Sequence, residues 1–271
     1  ELIYDDFENA VFAGHPLGHN ILGRAETLRT YTTDDALAFT KRFYRPENTV
    51  FFVSGDVDFN TVVRLLKRAT AEFPSATPLI DVTPTAVLPP YEPKTIKHDR
   101  GTHQAHVMIG YSVHDRRRMP LYLLNNILGG PGMNARLNIS LRERNGLVYT
   151  VESVMTTYTD TGLWSVYFGC DPHDVTRCRR LVLKELRRLA EAPLAPHALE
   201  AAKRQIKGQI GISYDNFENV ALAMGKTFLH YDRARDLNRL YQKIDGLTAE
   251  DLHAVAQELF RPENLTFLIY R

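Results

Sequence analysis

The feature that most constrains this chain is that part of it is written twice. Tyr4-Asp5-Asp6-Phe7-Glu8-Asn9 returns as Tyr214-Asp215-Asn216-Phe217-Glu218-Asn219, and Arg45-Pro46-Glu47-Asn48 returns as Arg261-Pro262-Glu263-Asn264. The copies lie 210 residues apart at Tyr4 and Tyr214 and 216 apart at Arg45 and Arg261, so order and, within a small insertion, register are kept. A duplicated domain produces this pattern, whereas chance matches have no reason to stay in register. Each copy also follows one local grammar. Thr32 with Asp35, and Thr248 with Asp251, have the spacing of helix N-caps whose third residue is acidic, so a helix is expected after each. Each helix should stop at the proline of the repeated Arg-Pro-Glu-Asn, which cannot continue the backbone ladder. Residues 49–53 and 265–270, just beyond these stops, are rich in β-branched and aromatic side chains and are expected to form strands.

Four prolines, Pro84, Pro89, Pro90 and Pro93, mark residues 84–95 as an extended linker. Residues 1–83 then read as the end of a first domain copy and 96–271 as a complete second copy. By the register of the repeat, about a hundred residues of the first copy belong before Glu1. In the second copy a strand is expected over 104–111, and helices over 119–128 and 133–144 are separated by Gly129-Gly130-Pro131-Gly132. Strands over 147–155 and 163–168 are joined by a turn around Asp160 and Gly162. After the Asp171-Pro172 helix start, Val175, Cys178, Val182, Leu186 and Leu189 fall on one face at three- and four-residue spacing. A long helical stretch is expected over 197–230. The pattern β-α-β-β-α-α-β is α+β, a sheet with helices on one face.

A chain of 271 residues with 44% hydrophobic content can bury a substantial core. Its 33 basic and 32 acidic side chains leave a formal charge of +1, too little field for nucleic acid or an anionic membrane surface. No apolar run reaches the roughly 20 residues of a membrane span. The two cysteines, Cys170 and Cys178, lack the spacing of a thiolate zinc site and read as packed thiols.

A catalytic zinc needs about three protein ligands and an open position for water. No helix here offers two histidines one turn apart. His15 and His19 are separated by Pro16 and Gly18 and read as loop residues, and His103 and His106 have the odd spacing that sends strand side chains to opposite faces. Gly129, Gly130 and Gly132 match neither phosphate-binding fingerprint, but a loop of this kind suits contact with an extended peptide through free amides. Arg116-Arg117-Arg118 reads as a solvated turn, with an acidic-partner patch as the minority reading. The sharpest candidate is Leu141-Arg142-Glu143-Arg144-Asn145-Gly146-Leu147-Val148-Tyr149. Asn145-Gly146 is a left-handed helix stop, so Arg142 closes a helix while Tyr149 opens a strand. A guanidinium and a phenol folded toward one point would donate hydrogen bonds to a peptide carbonyl and to the oxyanion formed when water attacks it. The bland alternative is a surface arginine and a core tyrosine.

Three stretches together resemble the M16 metallopeptidases, the pitrilysin and processing-peptidase family, over essentially the whole chain. Gly14-His15-Pro16-Leu17-Gly18 with Ile21-Leu22-Gly23 is similar to the segment after that family's distal zinc glutamate. Leu128-Gly129-Gly130 with Met133-Asn134-Ala135-Arg136-Leu137 is similar to its glycine-rich loop, and Leu141-Arg142-Glu143 with Gly146-Leu147-Val148-Tyr149 to its second-domain signature. The resemblance implies domains of the LuxS/MPP-like metallohydrolase type, one incomplete and one complete. It implies Zn2+ in the parent protein, held by an HxxEH motif and a downstream glutamate that this chain does not contain. Glu8 is not that glutamate, since its copy Glu218 argues for a structural position. The resemblance further implies that Arg142 and Tyr149 correspond to the pair that binds the substrate backbone near the scissile bond, and Gly129, Gly130, Gly132 and Met133 to substrate-binding positions. The expected substrate is an extended or unfolded peptide. The expected partner is a second M16 half or subunit, possibly in a homodimer, and this chain alone is expected not to hydrolyse peptides. Two further readings stay open: a non-catalytic partner subunit that supplies the arginine and tyrosine, and a structural core subunit.

Overall fold

The computed structural model describes residues 2–73, 91–113, 118–158 and 161–271. The linker prolines Pro84, Pro89 and Pro90, Arg116 and Arg117 of the arginine run, and Asp160 of the expected turn lie outside the described residues. In chain order the first elements are α1 (Leu2–Val11), α2 (Ala25–Leu28), α3 (Thr33–Phe43) and α4 (Phe59–Ala69). Then come β1 (Thr95–His98), β2 (Ala105–Ser112), α5 (Arg118–Gly129), β3 (Val148–Thr157) and β4 (Gly162–Cys170). The last are α6 (Val175–Glu191), α7 (Pro196–Tyr214), α8 (Phe217–Tyr231), α9 (Leu237–Asp245), α10 (Ala249–Leu259) and β5 (Thr266–Tyr270). They group into two compact units. One comprises Glu1–Ile21, Ala86–Lys207 and Arg239–Arg271, the other Leu22–Thr85 and Gly208–Asn238.

The first unit is built on a five-stranded mixed sheet in the order β1-β5-β2-β4-β3, with β1 parallel to β5 and the other neighbours antiparallel. The two-residue period of the strands sorts their side chains. Val107, Ile109 and Tyr111 of β2 lie level with Phe168, Val166 and Trp164 of β4, and Ile269 and Phe267 of β5 join the same face. The helices α5, α6 and α10 pack there: Phe260, at the end of α10, lies 4.9 Å from the Trp164 ring, and the Arg179 guanidinium of α6 sits 3.9 Å from the Phe267 centroid. The apolar stripe expected of α6 is buried, with Val175, Cys178, Val182, Leu186 and Leu189 all enclosed.

The opposite face of the sheet receives α1. Ile3, Phe7, Val11 and Phe12 form one cluster with Met108, Leu163, Leu268 and Tyr270. A ring of tyrosine–carboxylate contacts surrounds it. Tyr270 donates to Asp6, Tyr158 donates to Glu8, and Tyr4 donates to Glu152 Oε1 at 2.7 Å. Glu8 therefore has a structural partner in this unit.

Burial, followed by the hydrogen bond to Asp6, pushes the Tyr270 phenol up to about 12; burial and their carboxylate partners raise Tyr4 and Tyr158 further. A phenol that ionises later in the folded state than in the unfolded one contributes stability that is intact below the unfolded value of about 10. That stability is lost as pH rises through about 12. The melting temperature is therefore expected to fall steeply between about pH 10 and 12, and Tyr270→Phe with Tyr158→Phe to flatten that fall. Calorimetry across the range checks this; an equally steep fall in the double variant would contradict it.

In the second unit α2, α3, α4 and α8 bury no side chain among the described residues. Both expected capping boxes form: Thr32 and Asp35 bond reciprocally at α3, as do Thr248 and Asp251 at α10 in the first unit. Both Arg-Pro-Glu-Asn segments make a single 3-10 turn after their helix. Beyond those turns the two copies diverge. Residues 265–270 yield β5, fully buried between β1 and β2, but the strand expected over 49–53 does not form, and Phe51, Phe52 and Val53 are exposed. β propensity describes fitness for a half-buried ladder, and residues 49–53 pair with no strand among the described residues. Other differences are smaller. The expected helix over 197–230 breaks at Asp215 and Asn216, where the Asn216 side chain caps α8 by accepting from the Asn219 amide. Strand β1 and helices α2, α4 and α9 add to the expected elements.

Candidate functional site

The expected helix over 133–144 is irregular. After Gly132 the chain turns, and Asn138–Glu143 forms one wide π-type turn closed by Arg144 N–H donating to the Ile139 carbonyl five residues back. Such turns insert an extra residue into the helical ladder and recur at functional sites. Gly146 then adopts φ +60, and no atom lies within 4 Å of where its Cβ would stand, so the glycine serves backbone conformation and not crowding. Its amide donates to the Arg142 carbonyl at 2.8 Å, and Leu147 N–H to the Leu141 carbonyl at 3.0 Å. The Asn145 side chain clamps the turn, donating to the Ser140 carbonyl at 2.7 Å and accepting from Arg177 of α6 at 3.0 Å. Arg177 has no sequence signal beyond being one of many helix-surface arginines.

This turn brings Arg142 and Tyr149 together. The Arg142 guanidinium carbon lies 5.9 Å from the centroid of the Tyr149 ring, within reach of a cation–π contact. Tyr149 is 81% exposed, so its phenol is presented to solvent and is not a core tyrosine. Glu143 stands 3.6 Å from Arg142 Nε and leaves the rest of the fork open. The pairing of β3 with β4 is irregular between Val148 and Val151, the kind of bulge that re-aims a strand side chain, and Tyr149 sits inside it. β3 is also the edge of the sheet, with no strand on its outer side among the described residues. A guanidinium and a phenol side by side at an open sheet edge can donate two hydrogen bonds to one oxygen.

The glycine-rich loop divides. Gly129 is buried at the end of α5, where a Cβ would meet Ser153 N of β3 at 2.5 Å, so helix and strand approach too closely for any side chain. Met133 is 72% exposed. Just beyond Met133 the segment is tied at two points. Asn134 donates to Gln205 Oε1 of α7 at 2.8 Å, and Asn138, the first residue of the π-turn, donates to the Met133 carbonyl at 2.9 Å. The segment with Met133 and the turn with Arg142 are thereby one connected piece of backbone.

Among the described residues no group of three candidate metal ligands brings two histidines together. His15 Nδ1 accepts from Leu17 N–H at 3.2 Å, and His106 Nδ1 bonds the Tyr167 hydroxyl at 2.8 Å. His103 precedes β2, so the shared strand expected for it and His106 is corrected. Among the described residues one group of three candidate metal ligands converges, Asp171, His173 and Asp174, with ligand atoms within 4.8 Å of one another. It contains a single histidine, which already lies 3.2 Å from Asp174, and its members are mostly exposed. That set does not fit a catalytic zinc held by two histidines and a carboxylate, and no step of chemistry is assigned to it.

Residues 30–206 match the family model described as peptidase M16 inactive domain. An uncharacterized zinc protease of Streptomyces coelicolor is 29% identical over 269 residues, covering 96% of this chain and 58% of the relative. A probable mitochondrial-processing peptidase subunit beta of Schizosaccharomyces pombe is 26% identical over 273 residues, covering 96% of this chain and 59% of the relative. The crystal structure of a peptidase M16 inactive domain from Pseudomonas fluorescens superposes with a TM-score of 0.86 at 19% identity, over 99% of this chain and 65% of that one, and so shares the fold. The chain thus spans less than two thirds of the length of each of these proteins.

Proposed function

Because the chain belongs to the peptidase M16 family, we propose that it is the substrate-handling half of a zinc metalloendopeptidase acting on extended or unfolded peptides. The observation that carries this reading is the meeting of Arg142 and Tyr149 at an open sheet edge, 5.9 Å apart and presented to solvent. An extended peptide passing that edge finds unpaired strand amides and carbonyls. Its carbonyl at the reacting position finds two donors, which hold it in the ground state and bond more strongly to the oxyanion that replaces it. The glycine-rich loop, with Met133 exposed and its carbonyl tied to the π-turn, contributes further peptide contact.

Activating the attacking water is the part these residues do not perform. Zinc supplies that chemistry when bound, by lowering the pKa of its water, and in this reading it is held by a companion half, in the same chain or in another subunit. The zinc-protease name of the Streptomyces relative supports a metal in the parent protein. The subunit name of the Schizosaccharomyces relative supports a second arrangement, in which the two halves of the work are divided between paired subunits.

This reading predicts that the 271-residue chain, purified and reconstituted with Zn2+, leaves a quenched fluorescent peptide intact, while the full-length protein or the chain with its zinc-bearing partner cleaves it in a chelator-sensitive way. Zinc-dependent turnover by the isolated chain would overturn the division of labour. Turnover that returns only on mixing with a second subunit would select the paired arrangement.

A further inference from the structure

We propose that the cleft between the π-turn and α6 binds the carboxylate of a small molecule or chain end that carries a short apolar tail. The cleft has a volume of about 490 Å3 and is separate from the Arg142–Tyr149 pair, although the same turn carries both. Its charged walls are Arg136 and Arg144 from the turn region, and Glu185 and Arg188 from α6. Three guanidinium groups thus face one carboxylate. Glu185 is 6% exposed and is held by Arg188 at 2.8 Å, which leaves that pair neutral. Arg136 and Arg144 have no ion-pair partner within 4.0 Å among the described residues.

Arg136 is half-buried, and its burial, together with repulsion from Arg188, works against its charge, with Glu185 as the opposing influence. A bound anion would relieve that conflict. The guanidinium fork matches the planar geometry of a carboxylate, and the buried Glu185 disfavours an anion of higher charge in the same space. Ile139, Leu194 and Ala198 supply an apolar wall beside the charges. A carboxylate on a few carbons, or on a terminal apolar residue, fills such a site; a bare inorganic anion leaves the wall unused.

The cleft is independent of the proteolytic reading, and binding there can be measured without any activity. In calorimetric titrations at low salt, the chain is offered N-acetyl-Ala-Leu, the same dipeptide with its C-terminus amidated, 4-methylpentanoate and inorganic phosphate. The free-acid dipeptide is expected to bind about tenfold more tightly than its amide, the loss of one charge-assisted interaction, and more tightly than phosphate. Arg144→Gln, at an exposed position that leaves the fold intact, is expected to weaken the acid by about tenfold as well, with Arg136→Gln as the companion variant. If 4-methylpentanoate binds as well as the dipeptide, the occupant is a free short-chain acid; if it binds more weakly, the occupant is a peptide C-terminus. Equal affinity for acid and amide, tighter binding of phosphate, or wild-type affinity in both arginine variants overturns the proposal.

Discussion

Full-length protein carrying Arg142→Met is expected to lose about 10²–10³-fold in kcat toward peptides, the range measured when one oxyanion donor is removed from an acyl-transfer site. Tyr149→Phe removes the other donor and should cost a similar factor. The two losses together should fall short of their product, because the groups serve one oxygen. Both side chains are well exposed, so stability should be unchanged and the effect can be read as chemistry. The split between constants is informative. An interaction made in the transition state alone lowers kcat at constant KM, whereas one made equally with bound substrate raises KM. Arg142→Lys keeps the charge but loses the planar fork and should recover only part of the activity. Turnover within about twofold of wild type in both the Met and the Phe variant would remove the chemical basis of the peptidase reading.

The second large effect is on stability. Trp164 is fully buried in β4, 4.9 Å from Phe260 and 5.9 Å from Tyr111. Its indole N–H donates to Ser153 Oγ at 3.1 Å, and that hydroxyl donates to Asn125 Oδ1 at 2.6 Å, so one polar chain stitches β4, β3 and α5. Trp164→Ala should cost about 3–5 kcal/mol from lost burial and the cavity left behind. Against a total stability of about 5–15 kcal/mol this is enough to leave many domains partly unfolded at 37 °C. Trp164→Phe, which keeps much of the volume and loses the hydrogen bond, should cost about 1–2 kcal/mol. Because Trp164 is the only tryptophan, urea unfolding must be followed by circular dichroism and not by its fluorescence. A cost below about 1 kcal/mol for the alanine variant would mean that this core repacks freely, contrary to the close packing described.

The Arg142–Tyr149 pair and its surroundings also show what a sequence reveals and what it withholds. The convergence of Arg142 on Tyr149 was legible because Asn145-Gly146 is a local signal, and the left-handed Gly146 realises it. The capping boxes at Thr32 and Thr248 were legible for the same reason, each being decided within four residues. The π-turn over Asn138–Glu143 was not, because its wider hydrogen bonding leaves no distinct mark on hydrophobic spacing. Nor was β1, four residues whose partner β5 lies at the other end of the chain. Arg177, which secures Asn145, is one arginine among several on α6 until α6 is seen beside the turn. Residues 49–53 fail in the opposite sense, since their composition favours a strand and pairing, which composition does not supply, is what makes one.

The helix α3 closes its own case at both ends. Thr32 and Asp35 fix its start, Asp34 and Asp35 sit where the helix dipole favours negative charge, Lys41 and Arg42 where it favours positive, and Pro46 ends it. Its counterpart α10 uses the same opening box and additionally buries Leu252, Val255 and Ala256, while α3 buries nothing. A helix of eleven residues is marginal in water by itself. The duplicated text therefore encodes a start and a stop twice: punctuation is inherited with the sequence, and permanence has to come from whatever surface lies alongside.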